Sequence, residues 1–539
     1  MKRILLLILL LTTTLYFIET NEIFGFNKYK PLFTVTYAAN NYVLTWSKIP
    51  YLAFYEVEVL NNNPMEKHGQ KSTVPSYRIA KYRTFDNLIT IDQKFPDNTY
   101  LRVSAHSLFH QPLGFYSDAV SITEINSDAE QAKLKPVPIT SYPQDAPAPN
   151  IPLLTWTVVP GAVYYEFELL SDLAENPNNI SPSRYQIFSS KEVFTNGYSI
   201  DLSHYSGSHL YWRVRALNYG GDPLGVFSDD QEIFIDHTLP NVLKPISNTG
   251  YEKTNMSMPL YPVYSWFPIA GAVNYEVELT TAPPENPNST QPSNYRIRHS
   301  IVQGGADYYD EEALTKSGTY YWRVQGLDQS GKSIGVYSDA EVFTVDHTAG
   351  HYAATFGDSI THGGGAISYS PADLEYSFQT YLAFPTINLG KSGDTTTTML
   401  SRFNNDVLPY HPKFLIIMGG SNSLRGGASA DQVIKELTAI QNKCLTNGIR
   451  PIFLTLPPIN PEAIHQAFNE ETVDNWQEQF AAVNYFIRSQ RYYIDLEPYF
   501  MDANRELPTY YGIDGLHLDM EGKKLMGLII NANWARVTN

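Results

Sequence analysis

Cysteine is almost missing from this chain: Cys444 is the only one in 539 residues. No intramolecular disulfide can form, and a zinc site built on cysteines is excluded. Basic charge is also in short supply. Lys plus Arg number 38 against 55 Asp plus Glu, a formal net charge of −17. There is no basic footprint for nucleic acid or for an anionic membrane surface. Beyond the first residues no apolar run approaches the roughly 20 residues needed to span a bilayer. No G-x-x-x-x-G-K-[ST] is present, and no G-x-G-x-x-G opens a domain. His351, His362, His411 and His517 show no H-E-x-x-H or comparable metal-binding spacing. No cofactor and no metal are expected.

What is present is the composition of a folded protein: 43% apolar, 13% aromatic and 17% charged, with 39 Tyr. The length exceeds one ordinary core, so several domains are expected. At the N-terminus, Lys2 and Arg3 precede an apolar stretch from Ile4 to Ile18. This fits a secretory signal. No A-x-A cleavage site follows, so residues 1–22 read as a signal peptide or an uncleaved N-terminal anchor. Both place the protein outside the cytosol, secreted or at the cell surface, with membrane contact only through that segment.

Three copies of one pattern fill roughly residues 31–347. Trp46, Trp156 and Trp266 recur at equal spacing, each opening a phrase such as "LTWSKIPYLAFYEVEV". Glu56, Glu166 and Glu276 keep the same spacing. A second phrase returns as "YLRVSAHSLFHQPLGFYSD", "YWRVRALNYGGDPLGVFSD" and "YWRVQGLDQSGKSIGVYSD". In "YEVEV", Tyr55, Val57 and Val59 share one face and Glu56 and Glu58 the other, which predicts half-buried strands. Short strands broken by Pro, Gly and Asn point to β-sandwiches. The length, the Trp position and the aromatic-flanked Arg resemble fibronectin type III modules, an immunoglobulin-like all-β fold, at 31–125, 136–237 and 246–347. Such modules act as spacers or contact glycan or protein through exposed Tyr. "IDHT" and "VDHT" close copies two and three, and their His residues read as structural joints.

After residue 350 the pattern changes. "YAATF", "PTINL", "KFLIIM", "IRPIFLTL" and "RYYIDL" are strand-like runs with helical patterns between them. Ser429 and Gln432 resemble a capping box. Val433, Leu437, Ile440 and Cys444 then share a helical face that Gly448 can end, which makes Cys444 a core residue. Further helices are expected over about 472–489 and after Glu521. Alternating strands and helices imply a parallel sheet covered on both faces, whose ligands gather at the carboxyl ends of the strands.

Four blocks follow those strands: Gly357-Asp358-Ser359-Ile360, "NLGKSGDTT", "GGSNSLRGG" and "GIDGLHLDMEG". Singly, each has a plain reading as turn or cap chemistry. Together and in this order they resemble the SGNH (GDSL-type) hydrolase superfamily over residues 350–539. The resemblance implies a three-layer α/β fold with a flavodoxin-like parallel sheet. It also implies that Ser359 is the nucleophile, His517 the general base and Asp514 its orienting carboxylate. The oxyanion donors would be Ser359, Gly393 and Asn422. The third block departs from the usual Gly-x-Asn-Asp, because Ser423 stands at its end, which leaves the support of that loop open. Arg425 could meet an anionic substrate group or a surface carboxylate.

Those roles suit the chemistry. A serine hydroxyl needs a base to take its proton, and imidazole titrates near working pH. A carboxylate can hold one imidazole tautomer, and N–H donors can stabilise the oxyanion where it develops. The reading is an exported carboxylic ester hydrolase working through an acyl-enzyme on O-acylated, for instance acetylated, carbohydrate. Its alternatives are a lipase or lysophospholipase-type esterase and, from another class, a non-catalytic cell-surface binding protein.

Overall fold

In the computed structural model the described residues are 31–539, apart from 32, 39–40, 47–52, 62–77, 92–94, 97–98, 108–109, 111, 114–115, 118, 123–133, 208, 249–257 and 503. The leading segment 1–22, read above as a signal or anchor, lies outside them. Among the described residues no helix is long and apolar enough to cross a membrane.

The repeated region is mostly antiparallel β-sheet. Its alternating phrase becomes the strands Ala53–Leu60, Tyr164–Leu170 and Asn274–Thr280. Each lies between the strand that follows it and the strand carrying the second phrase. In the first copy a three-stranded sheet accompanies this four-stranded one. The repeated tryptophans are buried, 5.4 Å from Tyr55, 5.4 Å from Tyr165 and 5.1 Å from Tyr275 between ring centres.

The outward face of these strands differs from the half-buried expectation. Tyr55, Val57 and Val59 are in the core, yet Glu56 and Glu58 on the opposite face are buried as well. Alternation tells which side a residue takes, not what covers that side. Here an arginine from the second phrase covers it. Arg102 meets Glu58 at 2.8 Å, Arg213 meets Glu168 at 2.7 Å and Arg323 meets Glu278 at 2.6 Å. Tyr116, Phe227 and Tyr337 lie 3.7, 4.1 and 4.0 Å from those guanidinium groups. Pairing and an aromatic cover make burial of the charges tolerable.

The C-terminal domain is α/β. Its strands, numbered within this domain, are β1 (Ala353–Gly357), β2 (Ile387–Asn388), β3 (Phe414–Met418), β4 (Arg450–Leu454) and β5 (Tyr493–Ile494). They are all parallel, in the order β2-β1-β3-β4-β5. This is the flavodoxin-like order of doubly wound sheets. Every residue of β1 and β3 is buried, so both faces of the sheet are covered. The helices are α1 (Ser359–His362), α2 (Thr396–Asp406), α3 (Ser421–Arg425), α4 (Ala430–Thr446), α5 (Pro461–Phe468), α6 (Trp476–Arg488) and α7 (Met520–Thr538).

Local signals place α4 well. Ser429 Oγ accepts the Gln432 N–H at 3.3 Å, while the Gln432 side chain turns to Glu436 instead of closing a capping box. Val433, Leu437, Ile440 and Cys444 are its buried face, and burial pushes the Cys444 thiol up to about 12. The helix expected over 472–489 starts at Trp476. Helix α5 was not anticipated, although Asn460 followed by Pro461 is a start signal, and Asn460 Oδ1 accepts the Ala463 N–H at 3.0 Å.

The third copy is not held apart from this domain. Leu260 and Tyr261 lie in the α/β core, and Leu374 of the α/β domain lies in the core of the third copy. The Leu260 N–H donates to Asn388 O at 3.0 Å, and the Tyr261 hydroxyl donates to Asp406 at 2.6 Å. His347 of "VDHT" bonds Leu314 O at 3.1 Å and packs 4.7 Å from the Tyr410 ring. The two units share a core, because apolar residues cross in both directions.

Candidate active site

The chain leaves β1 at Gly357 and turns at once into α1. Asp358 accepts the Ile360 N–H at 3.1 Å and caps this single turn. Ser359 is its first residue. The Ser359 hydroxyl donates to His517 Nε2 at 2.8 Å, and His517 Nδ1 donates to Asp514 Oδ2 at 2.7 Å. The second Asp514 oxygen accepts the N–H groups of Leu516 at 2.8 Å and His517 at 2.7 Å. Burial raises the Asp514 carboxyl, but His517 beside it and these hydrogen bonds outweigh burial and hold it below its ordinary value. An ionised Asp514 keeps the proton on Nδ1, so Nε2 is free to accept one from serine.

Gly364, just after α1, admits the histidine. A Cβ on Gly364 would lie 2.9 Å from His517 Cδ2 and 3.0 Å from Ser359 O. Gly393 has a different need. Its φ is +82°, the left-handed region, and a Cβ there would meet no protein atom within 4 Å.

Asn422 Nδ2 donates one hydrogen to Asp394 O at 3.0 Å, leaving its second N–H for a ligand. The loop support left open by Ser423 is supplied in two parts. Ser423 Oγ accepts the Thr396 N–H at 2.9 Å. Glu436 on α4 accepts the hydroxyls of Thr396 at 2.5 Å and Thr397 at 2.8 Å, so a carboxylate from another helix holds the end of the second block, which Ser423 joins to the third.

Ser359, Gly393, Asn422, Asp514 and His517 all line one cavity of about 610 Å³. Arg425 is at its rim, paired with Glu470 at 2.5 Å, the second of the two options its position allowed. His362 is buried between Ser392 Oγ at 2.8 Å and Tyr261 O at 2.6 Å, and burial lowers it to about 4. Among the described residues no group of three His, Cys, Asp or Glu is arranged to hold a metal.

Three features of the site carried no local sequence signal. Lys523 on α7 is fully buried and donates to Ile360 O at 2.5 Å. Arg402 on α2 binds Gly357 O at 3.1 Å, Leu389 O at 2.8 Å and Asp394 at 2.5 Å, joining the ends of the first two strands. The third feature comes from the β copies. Tyr219 donates to Ala366 O at 3.1 Å and Tyr309 donates to Ser368 O, and both line the cavity.

A parallel α/β domain with this chain of groups at its carboxyl edge falls in the hydrolase class. More narrowly, residues 355–525 match the GDSL-like Lipase/Acylhydrolase family, so the chain carries a GDSL-like lipase/acylhydrolase domain. Solved structures similar to it include a GDSL-like lipase from Bacteroides thetaiotaomicron, at 21% identity over 34% of this chain and 88% of that one, TM-score 0.29. A lipase/acylhydrolase from Enterococcus faecalis has 22% identity over 35% and 97%, TM-score 0.27. An acetyl xylan esterase has 21% identity over 34% and 99%, TM-score 0.26. No curated protein matches the chain.

Proposed function

We propose that this domain is a serine esterase working through an acyl-enzyme at Ser359. The observation that carries the reading is the Ser359–His517–Asp514 hydrogen-bonded chain, opening on the cavity that Gly393 and Asn422 also line. Ser359 Oγ attacks the ester carbonyl carbon while His517 Nε2 takes the hydroxyl proton. The N–H groups of Ser359 and Gly393 and the Asn422 amide receive the oxyanion. As the intermediate collapses, the C–O bond to the alcohol breaks and His517 returns the proton to the departing oxygen. Water then attacks the acyl-enzyme, with His517 as base, releasing the acid and restoring the serine.

The substrate we infer is an O-acylated carbohydrate, acetyl esters first. The nucleophile stands in a cavity whose lining mixes aromatic rings with polar groups, which suits a hydroxyl-rich alcohol part. We read the β copies as fibronectin type III-like modules and the leading segment as an export signal or anchor, which would place this chemistry outside the cytosol.

Labelling with a serine-directed phosphonate tests the enzyme reading. Stoichiometric modification of the parent protein and none of Ser359→Ala supports it. An unlabelled parent protein returns the chain to the non-catalytic binding reading. p-Nitrophenyl esters of rising acyl length then separate an acetylesterase from a lipase-type enzyme by whether turnover falls or climbs with length.

A further inference from the structure

The cavity holding Ser359 is not built by the α/β domain alone. Tyr164, Phe194 and Tyr219 of the second copy and Tyr309 of the third line it as well. Tyr164 and Phe194 pack edge to face, 5.1 Å between ring centres. The hydroxyls of Tyr219 and Tyr309 are tied to the backbone of the loop that follows α1, so these side chains are held against the site. Phe194 remains 60% exposed.

The repeat itself supplies a control. Copies two and three align residue for residue over these strands. At the positions of Tyr164, Phe194 and Tyr219 the third copy has Asn274, Gly304 and Gln329, and at the position of Tyr309 the second copy has Ser199. The repeated fold is therefore reached with or without an aromatic at each of these positions. The first copy keeps a related pair, Phe54 and Phe85, but has Leu108 in place of Tyr219. Tyr164 and Tyr219 thus occur only in the second copy.

The aromatic wall also leads onward. A second cavity of about 880 Å³ lies between copies two and three and the loop at Ser368–Tyr369. It shares Phe194 and Ser368 with the first. Phe188, Tyr198 and Tyr205 line it beside Glu192, Asp201 and His204. Rings interleaved with carboxylates and imidazole suit a ligand with apolar C–H faces and many hydroxyls. Aliphatic Val193, Ile200, Ile269 and Ala272 line it too and would meet those C–H faces, whereas a nucleic acid would need cations.

We propose that the second and third β copies form saccharide subsites of the catalytic cleft. The alcohol part of the ester is an oligosaccharide that runs from Ser359 across Tyr164 and Phe194 into the cavity between the copies. This rests on the esterase reading of Ser359.

The test uses the full chain and a panel of O-acetylated oligosaccharides differing in backbone sugar and length, beside p-nitrophenyl acetate. For at least one backbone, kcat/KM should climb with saccharide length. Phe194→Ala and Tyr164→Ala should cost about tenfold more on the long substrate than on p-nitrophenyl acetate, mainly in KM. With Ser359→Ala as a non-hydrolysing host, calorimetry should show the same acetylated oligosaccharide binding about tenfold more weakly once Phe194→Ala is added. Turnover without any length dependence, or equal losses on both substrates, overturns the subsites while leaving the esterase standing. Absence of phosphonate labelling at Ser359 removes the esterase itself, so the two failures are separable.

Discussion

The Lys523 ammonium donates to the carbonyl of Ile360, one residue beyond Ser359, at 2.5 Å and in full burial. Burial lowers this lysine to about 7, although Asp358 and Asp519 nearby oppose the shift. Those two carboxyls are in turn raised by burial to about 6. The unfolded lysine keeps its proton up to its ordinary 10.5. Between about pH 7 and 10 the unfolded chain binds the extra proton, so the Lys523 contribution to stability rises with pH. The carboxyls act the other way, and their contribution falls as pH rises from about 4 to 6. Denaturant unfolding across the alkaline window should show the parent protein gaining stability relative to Lys523→Met as pH rises from about 7 to 10, with a constant difference below pH 7. Parallel curves would remove the linkage.

Turnover should divide the site residues by role. Ser359→Ala and His517→Ala are expected to lose on the order of 10⁶ in kcat, and combining them should add almost nothing. Asp514→Asn should cost about 10⁴, because an amide favours the wrong imidazole tautomer. Asn422→Ala should cost about 10²–10³ with KM little changed. Steady-state kinetics on p-nitrophenyl acetate checks each. Additive losses for serine and histidine would contradict a shared proton path.

Two glycines should fail in different ways. Gly364→Ala sets a methyl 2.9 Å from the His517 ring, so it should lower kcat by displacing the base. Gly393→Ala meets no such neighbour, but its φ of +82° carries a cost of about 1–2 kcal/mol for a side chain. Thermal unfolding beside kinetics separates the cases. A Gly393→Ala protein as stable as the parent would mean the loop can change its backbone.

The Glu168–Arg213 pair, both buried, should be far more costly to break than to replace. Arg213→Met alone leaves a carboxylate buried without its partner, at about 3–5 kcal/mol. Adding Glu168→Leu should recover most of that loss. Calorimetry of the single and double variants decides it, and a double variant no better than the single would show that Glu168 reaches water.

Strands of the α/β domain were legible because runs such as "KFLIIM" are local: five consecutive apolar residues can be satisfied only between two covered faces. The polar blocks were legible for a related reason. Ser359, Gly393 and Asn422 each follow a strand end, where loops of a parallel sheet collect, and the pair Asp514 and His517 stands just before the last helix. What covers a face was not legible. Alternation around Glu58 suggested a half-buried strand, and an arginine with an aromatic ring covers that face instead.

The sequence alone determined where the chain changes from a repeated β pattern to alternating strands and helices, and which short polar blocks end those strands. Both are written in neighbouring residues through backbone periodicity and turn chemistry. Only the tertiary structure decided that Lys523 would be buried beneath the nucleophile's turn, and that Tyr219 and Tyr309 would hold its loop. Those partners lie far apart in the chain, and their contacts arise only when separate cores pack together.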